Sequence, residues 1–468
     1  MLMKSNKRVN TITIINIIST LFLQGITFIS APIISRMLGP DNYGIASVYI
    51  TWVGLFSTVF GLQTQSTIAL ARKEYAENKQ LEYQSSILLL SILAYILFSV
   101  VVFVVAEPVS QLIGLPSKLM FLVLMQGLGQ YIATFFNIKY TYEFKAIKNL
   151  ILTIIVSVST FITSVLLINC FPSETNYYGR IFGQMIPYTL IGVTLCIYFF
   201  ISSRPRNIKE YWKFCLPLCI PIIFHNLSNL LLNQSSRVLL KMLLDNSSVG
   251  IYSLAYSFGA VLSTVWTALN NSWTPFYYEL SNKKATKELK TRANNYTELF
   301  TILAIGFVLL STEVFRIFAA REFWDGAPLI DVFAVGFYCM FLYSFPVNFE
   351  FYHKKTKLIA VGTALASVCN VVLNIVLISK IGIYGAAFAT TISYLLQFIF
   401  HHICATKIIK SQDPYPFKLT MFVPYVMLFM TFIVAKQFLV PYPIVRWAMG
   451  ILLGLFEIYR IIKRKAIF

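Results

Sequence analysis

Apolar runs of about the length of a membrane span recur along nearly the whole chain, and this limits what the chain can fold into. A helix needs about 20 mostly apolar residues to cross the hydrocarbon core of a bilayer. The runs fall at 11–35, 43–70, 86–106, 119–138, 150–170, 181–202, 214–244, 248–273, 295–318, 328–350, 358–379, 384–406, 419–438 and 442–462. The pattern predicts an all-α integral membrane protein with about 14 transmembrane helices, with 12 or 13 as alternatives because the last runs are closely spaced.

The basic residues lie in alternate loops between these runs. The chain carries 38 Lys and Arg against 19 Asp and Glu, a net charge of +19. Such an excess is found in nucleic-acid-binding proteins as well as in membrane proteins, so its placement has to decide. Most of the basic residues come before the first run, after the even-numbered runs and after the last run. This asymmetry follows the positive-inside rule and predicts a multi-pass protein with both termini cytoplasmic and no nucleic-acid partner.

The sequence lacks the common motifs of catalysis, phosphate binding and metal binding. It has no G-x-x-x-x-G-K-[ST] loop, no H-E-x-x-H helix and no paired C-x-x-C,. The seven cysteines lie in or at the ends of apolar runs, where free thiols commonly pack,. The outward loops are short, with the longest near 170–180 and 319–327. We therefore expect no enzyme activity, no metal and no cofactor.

A shift of roughly 206 residues brings the two halves of the chain into partial register. Tyr178-Gly179 then falls on Tyr384-Gly385, and Gly44-Ile45 falls on Gly250-Ile251. The offset predicts a parallel repeat of six spans each, with a pseudo-two-fold axis along the membrane normal. The expected organisation is an N-terminal six-helix lobe, a C-terminal six-helix lobe and two additional C-terminal helices, with boundaries 1–202, 203–406 and 407–468.

The seventh run carries polar residues at helical spacing. Asn226, Asn229, Asn233, Arg237 and Lys241 follow one another at intervals of three or four residues, on one face of an apolar helix,. Because polar groups are costly in lipid, this face should meet protein or water. The functional interpretation is a cavity wall with Arg237 as an anion anchor. The alternative is hydrogen bonding at a packed interface, with Lys241 extending to the membrane surface.

Three weaker patterns accompany the stripe on the seventh run. Gln24 lies on a polar stripe of the first run, the position that matches the seventh in the repeat. The eighth run places Tyr256, Trp266 and Asn270 on one face, which suits sugar rings but equally suits an aromatic packing seam,. Glu350 is the candidate for binding a coupling proton or sodium ion; the alternative is pairing with Lys354 one turn later,.

Three segments resemble motifs of one transporter family. Residues 33–44 contain R-M-L-G-P-D-N-Y-G, residues 249–253 read V-G-I-Y-S, and residues 382–394 read G-I-Y-G-A-A-F-A-T-T-I-S-Y. They resemble the Wzx-type polysaccharide repeat-unit flippases of the multidrug/oligosaccharidyl-lipid/polysaccharide (MOP) exporter superfamily. In length and in expected topology the likeness covers nearly the whole chain.

The resemblance implies a flippase of the bacterial inner membrane that moves an undecaprenyl-pyrophosphate-linked oligosaccharide, an O-antigen or capsule repeat unit, to the outer leaflet by alternating access. It further implies a cationic cavity, which maps onto Arg36, Arg237 and Lys241, and proton or sodium coupling. Implied partners are membrane lipids, a polysaccharide polymerase and chain-length proteins. Ser235-Ser236 stand where family members often carry an Asp, so an ion-pair switch there is in doubt.

Three other functions stay open as alternatives. A multidrug exporter of the same fold would need a more acidic cavity, because its substrates are usually cationic. A peptidoglycan-precursor flippase would share the spans and the cationic cavity. A membrane-embedded polysaccharide polymerase would need catalytic carboxylates in a sizeable loop.

Overall fold

The computed structural model describes residues 2–408 and 414–464, with side chains at 22, 25 and 26 and from residue 28 onward apart from 111–112 and 408. Within these residues there are helices and no strands. The α-helices are α1 (Leu2–Phe60), α2 (Ile68–Glu74), α3 (Gln80–Val104), α4 (Ala106–Ile113), α5 (Ser117–Tyr142), α6 (Ala146–Ile168), α7 (Tyr177–Ser202), α8 (Ile208–Leu243), α9 (Asn246–Asn282), α10 (Thr286–Phe318), α11 (Ala327–Tyr352), α12 (Thr356–Ile403), α13 (Leu419–Leu439) and α14 (Pro443–Arg464). The predicted all-α membrane fold is confirmed.

Eleven helical segments in the described part of the chain are long and apolar enough to span a membrane. Two helices are much longer than one span needs, and each is broken by a glycine: α1 has 59 residues and α12 has 48,. Gly39 has φ 69° and Gly382 has φ 60°, a region that glycine enters without the Cβ clash of other residues,. Because both glycines lie in the family-like motifs, these motifs mark the turns between successive spans.

The chain divides into two compact units, residues 1–250 (unit 1) and 251–468 (unit 2). Unit 1 includes α8, which packs on α3 through a hydrogen bond that Trp212 Nε1 donates to the carbonyl of Ser86 (2.8 Å). The boundary of packing thus follows α8, whereas the predicted repeat boundary at residue 202 precedes it. Packing and duplication are different properties, and the assignment of lobes to 1–202, 203–406 and 407–468 stays a prediction.

A reciprocal contact in unit 1 supports the predicted duplication. The backbone of α1 at Gly44 lies directly against the carbonyl of Asn246, and the backbone at Gly250 lies directly against the carbonyl of Pro40. At an offset of 206 residues, Gly44 corresponds to Gly250 and Pro40 to Asn246. The contact between Gly44 and Asn246 is thus repeated by their counterparts, Gly250 and Pro40. A two-fold relation between the two segments produces such a pair of contacts.

In unit 2, α13 and α14 are held to the neighbouring helices by buried ion pairs. Lys436 of α13 lies 2.6 Å from Asp331 of α11, and its ammonium also donates to Ser311 Oγ (3.0 Å). Arg446 of α14 pairs with Glu313 of α10. The two cations are each only 1% exposed, so loss of either acid would leave an unpaired buried charge,.

The glycine contact in unit 1 gives a stability test. Gly44→Ala should lower the melting temperature, because a Cβ there would meet the Asn246 carbonyl. Gly306→Ala in α10 is the matched control: no heavy atom lies within 4 Å of its Cβ position, so the higher helix propensity of Ala should leave stability unchanged or raise it by up to about 1 kcal/mol,. Thermal unfolding in detergent measures both. Equal melting temperatures for the two variants would contradict the contact.

Candidate functional site

Unit 1 contains an open polar cavity of about 370 Å³, which we call the amide pocket. Its lining combines carboxamides, hydroxyls and one leucine: Gln63, Gln65, Gln130, Asn226, Asn229, Asn233, Gln234, Ser57, Thr58, Thr134, Tyr131 and Leu230. None of these lining residues carries a charge. The polar stripe of the seventh run lies on α8, and we call it the α8 stripe. Its three asparagines lie together on one cavity wall, as the cavity interpretation of the stripe requires.

The opposite wall is formed where the chain leaves α1 at Phe60. Leu62 (φ 56°) and Gln63 (φ 52°) both adopt left-handed backbone conformations, which are uncommon for residues with a side chain,. The turn directs Gln63 and Gln65 into the amide pocket, where Gln63 Oε1 accepts hydrogen bonds from Gln65 Nε2 (2.9 Å) and Asn226 Nδ2 (3.0 Å). Conformations of this kind cost on the order of 1–3 kcal/mol each and persist where the surroundings fix them.

A buried hydrogen-bond network fixes this turn. Thr64 Oγ1 lies 2.7 Å from Ser91 Oγ and 2.8 Å from Tyr131 Oη, and the Tyr131 hydroxyl donates to Ser91 Oγ (2.6 Å). One turn later, Thr67 Oγ1 lies 2.6 Å from Tyr83 Oη. The segment is thus attached to α3 and α5, and the two glutamines are held in place before any ligand binds.

The two cations of the α8 stripe lie beyond the amide pocket, toward the far end of the helix. Arg237 is half-buried and follows the pocket residue Asn233 by four positions, about 6 Å along the helix axis,. Lys241 lines a separate cavity of about 130 Å³ together with Gly114, Tyr177 and Asn246. The stripe therefore changes along its length from amides in the pocket to cations outside it.

Two other sequence candidates from the N-terminal half do not line the amide pocket. Arg36 is exposed near the Gly39 break in α1, and its predicted place in a cationic cavity stays a prediction. The side chain of Gln24 lies outside the described residues, so its predicted place on the cavity wall stays a prediction.

The aromatic stripe of α9 in unit 2 packs against α11. The Tyr256 ring lies 5.2 Å from that of Phe333 and 5.6 Å from that of Phe337, and its hydroxyl lies 3.4 Å from Tyr394 Oη. Trp273 is fully buried against Tyr296, with ring centroids 5.0 Å apart. These contacts are those of a packing seam, the alternative to sugar binding for this stripe.

Trp266 and Asn270, which lie further along α9, have polar groups that a ligand could contact. The Trp266 indole N–H is buried and has no hydrogen-bond partner. Asn270 Oδ1 accepts a hydrogen bond from Asn348 Nδ2 of α11 (3.1 Å). A buried indole donor and an amide pair are groups that a polar ligand can use, and the roles of Trp266 and Asn270 stay predictions.

Glu350 has a partner that is distant in sequence. Both oxygens of its carboxylate accept from His401 Nδ1 of α12, at 2.9 and 2.8 Å, and both side chains are 0% exposed. Lys354, the alternative partner one turn later, is exposed. The other imidazole nitrogen, His401 Nε2, is buried without a hydrogen-bond partner.

The ionisable groups near this acid–imidazole pair are uncharged phenols and a thiol: Tyr343, Cys404 and Tyr415. The Tyr343 ring lies 5.0 Å from the His401 ring. Burial raises the pKa of the Tyr415 phenol, in the segment before α13, well above its usual value, so this group stays neutral,. Among the described residues, no group of His, Cys, Asp and Glu side chains could hold a metal ion.

Several pocket residues were missed in the sequence: Gln63, Gln65, Gln130, Thr134 and Gln234. The run Gln63-Thr64-Gln65-Ser66-Thr67 was an available signal, because five consecutive polar residues end an apolar segment there. Gln130 and Gln234 are single amides inside apolar helices, and a single amide gives no periodic pattern.

Spanning helices broken by glycine turns, with a polar cavity between helices of one unit, define the fold of a membrane transporter. The chain superposes on a lipid II flippase MurJ in an inward closed conformation with a TM-score of 0.74, at 17% identity, covering 97% of this chain and 99% of that one. It superposes on an inward-facing multidrug resistance MATE family transporter of the MOP superfamily with a TM-score of 0.63, at 11% identity, covering 89% and 98%. At these identities the likeness shows the fold alone.

Residues 11–281, more than half of the chain, match the family described as "Polysaccharide biosynthesis protein", and the chain belongs to that family. It is also 22% identical over 375 residues to a protein of the Lsg locus of Haemophilus influenzae, covering 77% of this chain and 88% of that protein. The family match agrees with the polysaccharide family that the sequence motifs indicated, and the fold is that of the superposed flippase and transporter.

The left-handed pair beside the amide pocket gives a second stability test. Leu62→Gly should be neutral or stabilising, because glycine adopts φ 56° without the cost of about 1 kcal/mol that a side chain carries there,. Leu70→Gly, in the short helix α2, is the matched control and should destabilise by about 1 kcal/mol,. Thermal unfolding reports both. A larger loss in Leu62→Gly than in Leu70→Gly would contradict the strained turn.

Proposed function

We propose that this protein is a flippase that carries an undecaprenyl-pyrophosphate-linked oligosaccharide, an O-antigen or capsule repeat unit, from the inner to the outer leaflet of the bacterial inner membrane. The observation that carries the proposal is the division of the α8 stripe into amides that line the amide pocket and cations beyond it. A substrate with a polyhydroxylated part and an anionic part has groups for both. Membership in the polysaccharide biosynthesis family agrees with such a substrate.

The assignment of roles follows the chemistry of the two parts. Carboxamides donate and accept hydrogen bonds, so Asn226, Asn229 and Asn233 suit sugar hydroxyls,. A pyrophosphate moved bare through hydrocarbon would be very costly, and arginine lowers that cost through charge-assisted hydrogen bonds. Arg237 is the proposed anion anchor, while Lys241 and Arg36 attract the headgroup from positions nearer the membrane surface. The prenyl chain stays in lipid throughout.

This chemistry disfavours the alternatives considered from the sequence. A multidrug exporter for cations needs acids in its cavity, and the amide pocket is lined by none. A polymerase needs catalytic groups, whereas the fold is shared with a flippase and a multidrug transporter. A peptidoglycan-precursor flippase shares both the sugar and the pyrophosphate, so lipid II belongs in the test as a competitor.

The proposed energy source is a proton gradient acting at Glu350 and His401. A fully buried carboxylate is costly unless it is paired, and both oxygens of Glu350 are engaged by one imidazole nitrogen. A sodium ion would need several oxygen ligands, including the Glu350 carboxylate, and would have to displace His401 from it. A proton needs no such space and can neutralise the pair in place. Proton uptake and release here would favour alternate conformations of the transporter.

The proposal includes the membrane in which the protein lies and the proteins with which it works. The multi-pass fold places it in a membrane. The proposed membrane is the bacterial inner membrane, and the distribution of basic residues in the loops supports cytoplasmic termini. A polysaccharide polymerase and chain-length proteins are the proposed partners, because they would consume the flipped repeat unit.

Arg237→Ala tests the anion anchor. Loss of a charge-assisted contact of about 2 kcal/mol should slow flipping of fluorescent undecaprenyl-pyrophosphate oligosaccharide in proteoliposomes by about thirty-fold or more. Arg292→Ala, which removes an exposed i,i+4 pair with Glu288, is the matched control and should keep the wild-type rate,. The assay includes lipid II and a cationic dye as competitors. A wild-type rate in Arg237→Ala would remove this residue from the mechanism, and transport of the dye alone would identify a drug exporter.

Glu350→Gln tests the coupling site. An imposed proton gradient, acidic outside, should accelerate wild-type flipping, whereas Glu350→Gln should show the same rate with and without the gradient. His401→Gln should behave alike, because the two side chains form one pair. Glu322→Gln, at an exposed acid, should respond as wild type does. Acceleration of wild type by a sodium gradient at constant pH, with no response to protons, would show that this assignment is wrong.

A further inference from the structure

The amide pocket is selective in its chemistry as well as polar. Seven of its lining side chains are carboxamides, four carry hydroxyls and one is leucine. Every polar group there is neutral. A pocket built to neutralise an acidic sugar would offer arginine or lysine within it, but along the polar stripe of α8 the first cation is Arg237, one turn beyond the pocket residue Asn233.

The hydrogen bonds inside the pocket define which group it presents to a ligand. Gln63 Oε1 already accepts from Gln65 and from Asn226, and Gln63 Nε2 donates to the carbonyl of Thr58 (3.2 Å). Gln65 uses its own N–H for Gln63, so that Gln65 Oε1 remains buried without a partner on a side chain only 1% exposed. Gln65 Oε1 is an acceptor, and a buried acceptor is satisfied by a hydroxyl or an amide N–H,.

One imidazole contacts a lining residue of the pocket: His225 Nε2 lies 3.1 Å from Nδ2 of Asn229. A sugar carboxylate is acceptor-only when ionised, and the neutral lining offers it hydrogen-bond donors but no compensating charge,.

We propose that the amide pocket binds an uncharged sugar carrying hydroxyl and acetamido groups, and that it discriminates against uronic acids. This inference rests on the proposed flippase function and specifies which repeat units that function accepts. The left-handed turn at Leu62 and Gln63 and the hydrogen bonds of Thr64 hold the acceptor in place before binding, which lowers the ordering cost when a sugar enters.

The test compares two substrates that differ in one sugar. Both are undecaprenyl-pyrophosphate monosaccharides; the sugar is N-acetylglucosamine in one and glucuronic acid in the other. We expect wild-type protein in proteoliposomes to flip the neutral lipid at least ten-fold faster than the acidic one. Equal rates, or faster flipping of the acidic lipid, would overturn the pocket assignment while leaving the flippase function intact. Absence of flipping for both would overturn the flippase function and this inference with it.

Substitutions at Gln65 locate the selectivity. Gln65→Leu removes the acceptor and should slow the neutral lipid by about ten-fold or more, whereas Gln65→Lys supplies a cation and should shift the preference toward the acidic lipid. Gln184→Leu, at an amide of α7 outside the pocket, is the matched control and should keep the wild-type preference. Thermal unfolding of each variant shows whether it folds. Selectivity unchanged in folded Gln65→Lys would contradict the role of Gln65, and the wild-type comparison stands if a variant fails to fold.

Discussion

The hydrocarbon core of a bilayer offers no water to satisfy a polar group, and the structure is organised around that absence. Backbone groups are closed within helices, and the long helices α1 and α12 turn at glycines that adopt positive φ,. Buried charges occur with opposite charges, as Lys436 does with Asp331. In unit 1, uncharged polar side chains of several helices line the amide pocket, a cavity of about 370 Å³.

The polar side chains have two kinds of environment, which separates structural from functional roles. The buried ammonium of Lys436 in α13 donates to Asp331 and to Ser311, and these bonds hold α13 to α11 and α10. The amide pocket instead leaves a buried acceptor at Gln65, next to two residues in left-handed conformations. Strain and an unsatisfied group at one place are both costly for folding, which is why they indicate a site that acts on something else.

The sequence was sufficient for features that depend on local periodicity. Span length, the loop distribution of basic residues and the α8 stripe follow from spacing along the chain, and the structure has the three asparagines of the stripe on a cavity wall. The pairing of Glu350 with His401 could not be predicted, because the two residues are separated by 51 positions and no periodic signal links them. The same holds for Gln130, a single amide whose neighbours are decided by helix packing. Periodicity defines a face, but only tertiary structure defines what that face meets.

The ion pairs of the last two helices have a consequence for how the protein is made. Lys436, in the last turn of α13, and Arg446, in the first turn of α14, are synthesised late, and an unpaired buried cation is costly in a membrane protein,. Their acids, Asp331 and Glu313, belong to helices synthesised earlier. The closing hairpin therefore becomes stable in lipid only when α10 and α11 are already assembled. Biogenesis thus acquires an order, and a chain whose earlier helices are misplaced keeps two unpaired charges for membrane proteases to recognise.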